Sequence, residues 1–386
     1  MYAARTVRPQ ARADSARALI MVIAGTRPEC IKLAPVIWRL GMQRGSRVVV
    51  VNSGQHPRMV EQIFEEFGIR CDFALAALPS FPRLAESYDH LAEELSAVLA
   101  RVRPELVLVQ GDTLTAYAGA RVAHRAGYQV GHVEAGLRTD SPRDPFPEEW
   151  FRRQIARFAD LHFAPCRSAV DHLVAENIDP AAIHHVGNTG IDSLAWVLEE
   201  LGLDPLSAPP PERLVLVTLH RRENYDRNAE IVCDSLCEIA ASRKDLRMLF
   251  PVHPNPRVAE PVRRRLHSLS ACALVEPMSY HEFIGHAARA ALIISDAGGI
   301  QEEAPHLGTP LIVPRDNTER PEGIATGFVR LMSVAPGAIT RAALDMLALP
   351  RRRALPFDRS APFGAGDAGA LIVDVLRSRL LERVTT

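Results

Sequence analysis

Three acids of this chain stand at the ends of apolar runs or turns, where proton chemistry is usually staged. Asp112 lies in Gln110-Gly111-Asp112-Thr113, Glu134 in His132-Val133-Glu134-Ala135-Gly136, and Glu148 in Pro145-Phe146-Pro147-Glu148-Glu149. Carboxylates crowded into a partly dry site raise one another's pKa and become able to exchange protons near neutral pH. Plainer uses compete: Asp112 suits a helix cap, and Glu148 and Glu149 suit a helix N-terminus, while Glu134 before a turn is harder to assign elsewhere. Basic residues complete the picture. Gly25-Thr26-Arg27-Pro28-Glu29 leaves a strand and enters a helix, with Pro28 apt for its start. Arg27 and Lys32 there suit a leaving pyrophosphate, whose negative charge grows as its bond breaks. Lys32 and Lys244 are the only lysines among 45 basic residues, and an ammonium is a compact charge unlike the guanidinium fork.

A second set lies in the C-terminal half. Ala291-Leu292-Ile293-Ile294 runs into Ser295-Asp296-Ala297-Gly298-Gly299-Ile300-Gln301-Glu302-Glu303, a strand ending in glycines that open a helix. Free backbone N–H groups and the positive helix end suit a phosphate there, and acids two turns on suit a ribose. Taken alone, such a glycine pair is more often a packing device. Thr218-Leu219-His220-Arg221-Arg222-Glu223-Asn224 offers His220 as a phosphate donor or proton carrier, with arginine charge beside it. Arg315 to Glu322 offers Arg320 as a further phosphate or base contact. No group of His, Cys and acids has ligand spacing for a metal.

These positions need strand ends to hold them. Apolar runs at 18–24, 48–52, 106–110 and 129–133 alternate with helix-like segments at 28–40, 56–67 and 113–125, the rhythm of a parallel sheet covered on both faces. After the proline-rich break Ser207-Ala208-Pro209-Pro210-Pro211 the rhythm resumes with runs at 214–218, 248–252, 291–295 and 310–313. An α/β chain of two doubly wound domains is expected, with the active site in the interdomain cleft beyond the strand ends. A length of 386 residues, 47% hydrophobic and 24% charged, is enough for two cores. A net charge of −1 argues against a general nucleic-acid or membrane-surface binder. Six scattered cysteines, with Cys233 and Cys237 at helical spacing among apolar residues, read as packed thiols in a reducing compartment. With no transmembrane-length run, the expected location is the cytoplasm. The arginine-rich residues 1–17 read as a disordered extension.

Taken in order, these motifs resemble the non-hydrolysing UDP-N-acetylglucosamine 2-epimerases: Gly25 to Pro35, Gly54-Gln55-His56, Gly111-Asp112-Thr113, His132 to Thr139, Pro147-Glu148-Glu149, Gly187-Asn188-Thr189, His220 to Asn224, Asp296 to Pro305, Thr318 to Glu322 and Pro362 to Asp367. The resemblance covers residue 19 to the end. It implies two Rossmann-like domains of GT-B type: residues 18–188 joined by a C-terminal helix at 367–384, and a UDP-binding domain at 189–366. It also implies a homodimer and a reaction without a redox cofactor, in which UDP-GlcNAc and UDP-ManNAc interconvert through elimination of UDP to 2-acetamidoglucal. On this basis Asp112, Glu134, Glu148 and His220 form the catalytic set, with the choice of base among the carboxylates open. Arg27, Lys32, Arg152, Phe283, Ala297, Gly298, Gly299, Glu303 and Arg320 would bind the UDP-sugar, and Gln55, His56, Arg58, Arg221 and His253 an activating second molecule.

The chain departs from the family pattern at two places. Ala297 stands where serine is common, removing a hydroxyl expected at the diphosphate, and Phe151 stands where asparagine is usual. The turn Gln55-His56-Pro57-Arg58 also differs from the glutamine-histidine-arginine turn of activated members, so altered or absent activation is expected. Competing readings are a hydrolysing epimerase that releases N-acetylmannosamine and UDP, a GT-B glycosyltransferase, and a nucleotide-sugar sensor without activity.

Overall fold

A computed structural model of the chain describes residues 18–381 apart from 44, 140, 143, 207–212 and 351. The expected extension at 1–17 and the proline-rich break lie outside the described residues. Two compact units result. One holds the residues before Leu194 together with those from Asp358 onward, and the other is Leu194–Phe357.

In the first unit the chain runs β1 (Ala18–Ala24), α1 (Arg27–Met42), β2 (Ser46–Asn52), α2 (Pro57–Glu66), β3 (Phe73–Ala74), α3 (Leu84–Val102), β4 (Leu106–Gln110), α4 (Leu114–Arg125), β5 (Gln129–Val133), α5 (Glu148–Phe158), β6 (Leu161–Ala164), α6 (Arg167–Ala175) and β7 (Ile183–His185), then enters α7 (Thr189–Glu200). The strands form one parallel sheet in the order β3-β2-β1-β4-β5-β6-β7. β1 and β4 are continuous apolar runs because each is hydrogen-bonded on both edges and covered on both faces. One layer of the core joins Met21, Ile23, Val107 and Val109 to Leu95 and Leu99 of α3 and Tyr117 of α4.

In the second unit the order is β8 (Leu214–Thr218), α8 (Arg227–Ser242), β9 (Arg247–Pro251), α9 (Pro256–Leu266), β10 (Cys272–Val275), α10 (Tyr280–Arg289), β11 (Leu292–Ser295), α11 (Gly299–Leu307), β12 (Leu311–Pro314), α12 (Pro321–Ala325), β13 (Val329–Met332) and α13 (Ala338–Ala348). Its parallel sheet runs β10-β9-β8-β11-β12-β13. Cys233 is fully buried among Leu236, Ile239 and Phe250, the packing role its helical spacing suggests. The last helix, α14 (Ala368–Leu381), returns to the first unit and lies against α1. Asp192 of α7 holds its start, accepting from the N–H groups of Ala368 (3.0 Å) and Gly369 (2.9 Å).

Both sheets reverse their winding at the centre, between β1 and β4 and between β8 and β11. Loops leaving carboxyl ends at such a switch point diverge and open a crevice for ligands. The motifs at Gly25, Asp112, His220 and Asp296 leave the four strands that flank these points, and those at Glu134 and Arg320 leave the next strands out, β5 and β12. Among the described residues no helix is long and apolar enough to cross a membrane.

Candidate active site

In the first unit, Glu134 follows β5 in a left-handed backbone conformation, φ 65°, which costs a residue with a side chain about 1–3 kcal/mol. That strain aims its carboxylate back at the switch point. There it accepts from the Lys32 ammonium, the Gln110 amide and Asn188 Nδ2, the last at 3.0 Å. The Lys32 and Glu134 side chains are each 7% exposed, so they form a largely desolvated ion pair. Lys32, expected at the diphosphate, is therefore seated on a catalytic candidate. Arg27, the first residue of α1, stays half-exposed at the end of β1.

Asp112 is not the cap of α4. Thr113 takes that place, its hydroxyl accepting from the Ala116 N–H at 3.0 Å, because Gly111 in a left-handed conformation turns the chain one residue before the helix can begin. Asp112 instead meets Arg152 of α5, Oδ2 to Nη2 2.5 Å. The neighbouring acids Glu148 and Glu149 part company. Glu149 is fully buried and accepts from Arg152 (3.0 Å), Arg153 (3.0 Å) and the Thr139 N–H (3.3 Å). Glu148, at the first position of α5, is half-buried and has no hydrogen-bond or ion-pair partner among the described residues. Phe151 is buried in the core and stacks on Tyr117 at 4.9 Å.

One residue beside these was not singled out from the sequence. Glu29, 1% exposed, accepts from the Gly25 N–H (2.9 Å) and the Thr113 hydroxyl (2.6 Å). Burial pushes its carboxyl up to about 7 against the pull of those hydrogen bonds. His132, facing the Gly111 carbonyl at 2.7 Å, is driven by burial down to about 3 and stays neutral.

In the second unit the anchor is Asp296, another residue that sequence reasoning left without a role although it directly precedes the glycine turn. Fully buried at the end of β11, it accepts from the backbone N–H groups of His220 (3.1 Å) and Arg221 (3.0 Å) and from Asn224 Nδ2 (3.0 Å). His220 Nδ1 lies 2.8 Å from its other oxygen. Burial alone would raise its pKa, but His220 and these donors overcome that and hold it far below the carboxylate range. With Nδ1 turned to Asp296, Nε2 is the imidazole nitrogen left for chemistry on a side chain that is 42% exposed.

Beside this pair α11 begins at Gly299 with Gly298 as its cap and no side-chain cap, so the N–H groups of Gly298 and Gly299 have no intrahelical partner. Glu302 already lies in the first turn, nearer the helix start than sequence spacing suggested. A Cβ on Gly298 would fall 2.9 Å from Arg320 Nη1, which places the guanidinium flat against the glycine turn. Arg320 also pairs with Glu302 and Glu319. Glu303 accepts from the Tyr280 hydroxyl of α10 at 2.7 Å, and the Phe283 ring, half-buried, stands one position beyond the first turn of the same helix. Ala297 donates its N–H to Ser295 Oγ (3.1 Å), which is engaged with Thr218 (2.6 Å). That buried serine therefore does not replace the hydroxyl missing at 297.

Of the residues expected to bind an activator, Gln55 is used by the fold: its Oε1 accepts from Thr115 N (3.1 Å) and Oγ1 (2.7 Å). His56 and Arg58 are exposed at the start of α2. Arg221 reaches Glu319 at 3.3 Å, and His253 Nδ1 accepts from the Asn255 N–H at 3.1 Å.

Comparison with known proteins agrees over nearly the whole chain. A family model described as UDP-N-acetylglucosamine 2-epimerase matches residues 40–377. The UDP-N-acetylglucosamine 2-epimerase of Escherichia coli strain K12 is 36% identical over 369 residues, covering 93% of this chain and 98% of its own length. That of Bacillus subtilis strain 168 is 37% identical, covering 92% and 94%. The crystal structure of UDP-GlcNAc 2-epimerase from Neisseria meningitidis bound to UDP-GlcNAc aligns with a TM-score of 0.86 at 33% identity, over 93% of this chain and 100% of that one.

Proposed function

The chain belongs to the UDP-N-acetylglucosamine 2-epimerase family, and we propose how its two residue sets divide that reaction. The enzyme inverts carbon 2 of the sugar in UDP-GlcNAc without a redox cofactor. The C2 proton has no adjacent carbonyl, so its removal is coupled to departure of UDP from C1. Breaking the C2–H and C1–O bonds leaves 2-acetamidoglucal with a C1–C2 double bond. A proton then returns to C2 on the opposite face as the UDP oxygen adds back to C1, giving UDP-ManNAc.

The second set holds UDP. The uncapped N–H groups of α11 at Gly298 and Gly299, with Arg320 behind them, hold the diphosphate that gains charge as the C1–O bond breaks. Glu303 takes the ribose and Phe283 the base. His220, oriented by Asp296 through Nδ1, presents Nε2 to the leaving diphosphate. The first set manages C2. Glu134, ringed by Lys32, Gln110 and Asn188, is a fixed negative charge that favours positive character developing at C1. Asp112 and Glu148 carry protons on the two faces, Asp112 beside Arg152 and Glu148 at the half-buried start of α5. Arg27 and Arg152 steady the substrate beside them. The family resemblance supports a homodimer, and the scattered cysteines support a reducing compartment such as the cytoplasm. Sedimentation at micromolar concentration tests the dimer, a monomer mass counting against it.

The observation carrying this reading is the match across 93% of the chain to an enzyme whose structure holds UDP-GlcNAc. Incubation with UDP-GlcNAc alone tests it. An epimerase yields UDP-ManNAc and runs backward from UDP-ManNAc. Accumulation of free N-acetylmannosamine and UDP marks a hydrolysing enzyme, and no reaction without a sugar acceptor marks a transferase.

A further inference from the structure

Glu29 has no place in the chemistry above, yet it is a buried acid beside the turn that carries Asp112. A glutamate in the first turn of a helix ordinarily folds back to the N–H groups at that helix start, and one oxygen of Glu29 does this, accepting from Gly25 at 2.9 Å. Its other oxygen accepts from the Thr113 hydroxyl at 2.6 Å, a residue 84 positions away that also caps α4. The surroundings leave little slack. A Cβ at Gly25 would fall 2.1 Å from Thr115 Oγ1 and 2.2 Å from Ser53 Oγ, so the β1 loop runs directly against the start of α4. Ser53 and Gln55 of the β2 loop bind the same Thr115 at 2.7 Å each. Two strand-end loops thus converge on two threonines at the head of α4.

We propose that Glu29 is a positioning residue for the epimerase, a clamp whose two oxygens hold the β1–α1 loop bearing Arg27 against the β4–α4 turn bearing Asp112. A helix cap needs one of these bonds; the second serves the site. The carboxylate form is the competent one, because each oxygen accepts from a different donor and an amide in its place has a single accepting oxygen. That the protein keeps an acid there, although burial raises its pKa to about 7, is consistent with a use beyond packing, for which an amide or apolar residue would serve.

The inference rests on the epimerase reading, and the test separates the two. In Glu29→Gln, turnover of UDP-GlcNAc falls at least tenfold, while the dissociation constant for UDP stays within twofold, because the UDP set lies in the other unit. Thr113→Val shows the same split, and Thr113→Ser, which keeps the donor, retains most of the turnover. Hydrogen–deuterium exchange of the backbone at 25–30 and 113–118 quickens at least tenfold in Glu29→Gln. Turnover within twofold of wild type overturns the clamp, as does a parallel loss of turnover, UDP affinity and melting temperature. If the wild-type protein leaves UDP-GlcNAc unchanged, the epimerase reading fails, and unaltered amide exchange in Glu29→Gln still decides against the clamp.

Discussion

Glu148 and Glu149 are adjacent acids with opposite fates, and the difference is one of helix phase. Glu149, Arg152 and Arg153 share a face at i, i+3 and i+4, and burial turns that face into an ion-pair cluster continued to Glu176 and Arg138. The spacing was legible in the sequence. What was not legible is that this face is inward, since both acids equally suit a helix start. Glu148→Gln accordingly lowers turnover about 10²- to 10⁴-fold with no change in melting temperature. Glu149→Gln leaves two guanidinium groups short of a buried carboxylate and lowers stability by about 3 kcal/mol in denaturant titrations. Glu29 carries a pH signature. Its folded pKa, about 7, exceeds the unfolded value near 4.5, so the native state binds the extra proton between these values and stability falls as pH rises through that window. Wild-type stability should decline more steeply from pH 5 to pH 7 than that of Glu29→Gln. Equal slopes would mean that Glu29 is ionised throughout.

At the scale of elements, the long central strands were read from their apolar runs almost to the residue, as at 18–24, 106–110 and 214–218. The four edge strands β3, β7, β10 and β13 were not, nor was β6, a buried four-residue strand paired on both sides. An edge strand is paired on one side and needs only a short partly covered segment, and β3 spans two residues, too few to show a period. Loops after β8, β11 and β12 were recognised as polar strand ends, but the buried arginine–glutamate cluster joining them needs the fold to bring Arg221, Glu302, Glu319 and Arg320 together. The start of α11 carries two predictions. Ala297→Ser restores a hydroxyl to the helix end and tightens UDP by up to roughly 1.5–3 kcal/mol, with less free UDP and glucal escaping during turnover. Unchanged affinity and escape would mean other contacts already hold the nucleotide. Gly298→Ala pushes a methyl into Arg320 and weakens UDP at least tenfold by calorimetry.

The molecule as a whole repeats one plan, a parallel sheet with its functional loops at the central switch point, in each of two units. The repetition was visible as a restart of the apolar rhythm. The return of α14 to the first unit came from family resemblance, because nothing in its own sequence names its partner; the structure supplies Asp192 as the group that receives it. Asp192→Ala strands two buried N–H groups and lowers the stability of the first unit by about 2 kcal/mol, followed by the fluorescence of Trp38 and Trp150. The central claim is that UDP leaves and returns while C2 exchanges its proton. UDP-GlcNAc incubated with the protein in heavy water and followed by NMR tests it directly. The account predicts deuterium at C2 of UDP-ManNAc and of recovered UDP-GlcNAc, lost in Glu148→Gln. UDP-ManNAc formed with its C2 hydrogen retained, or UDP-GlcNAc returned without deuterium, would contradict it.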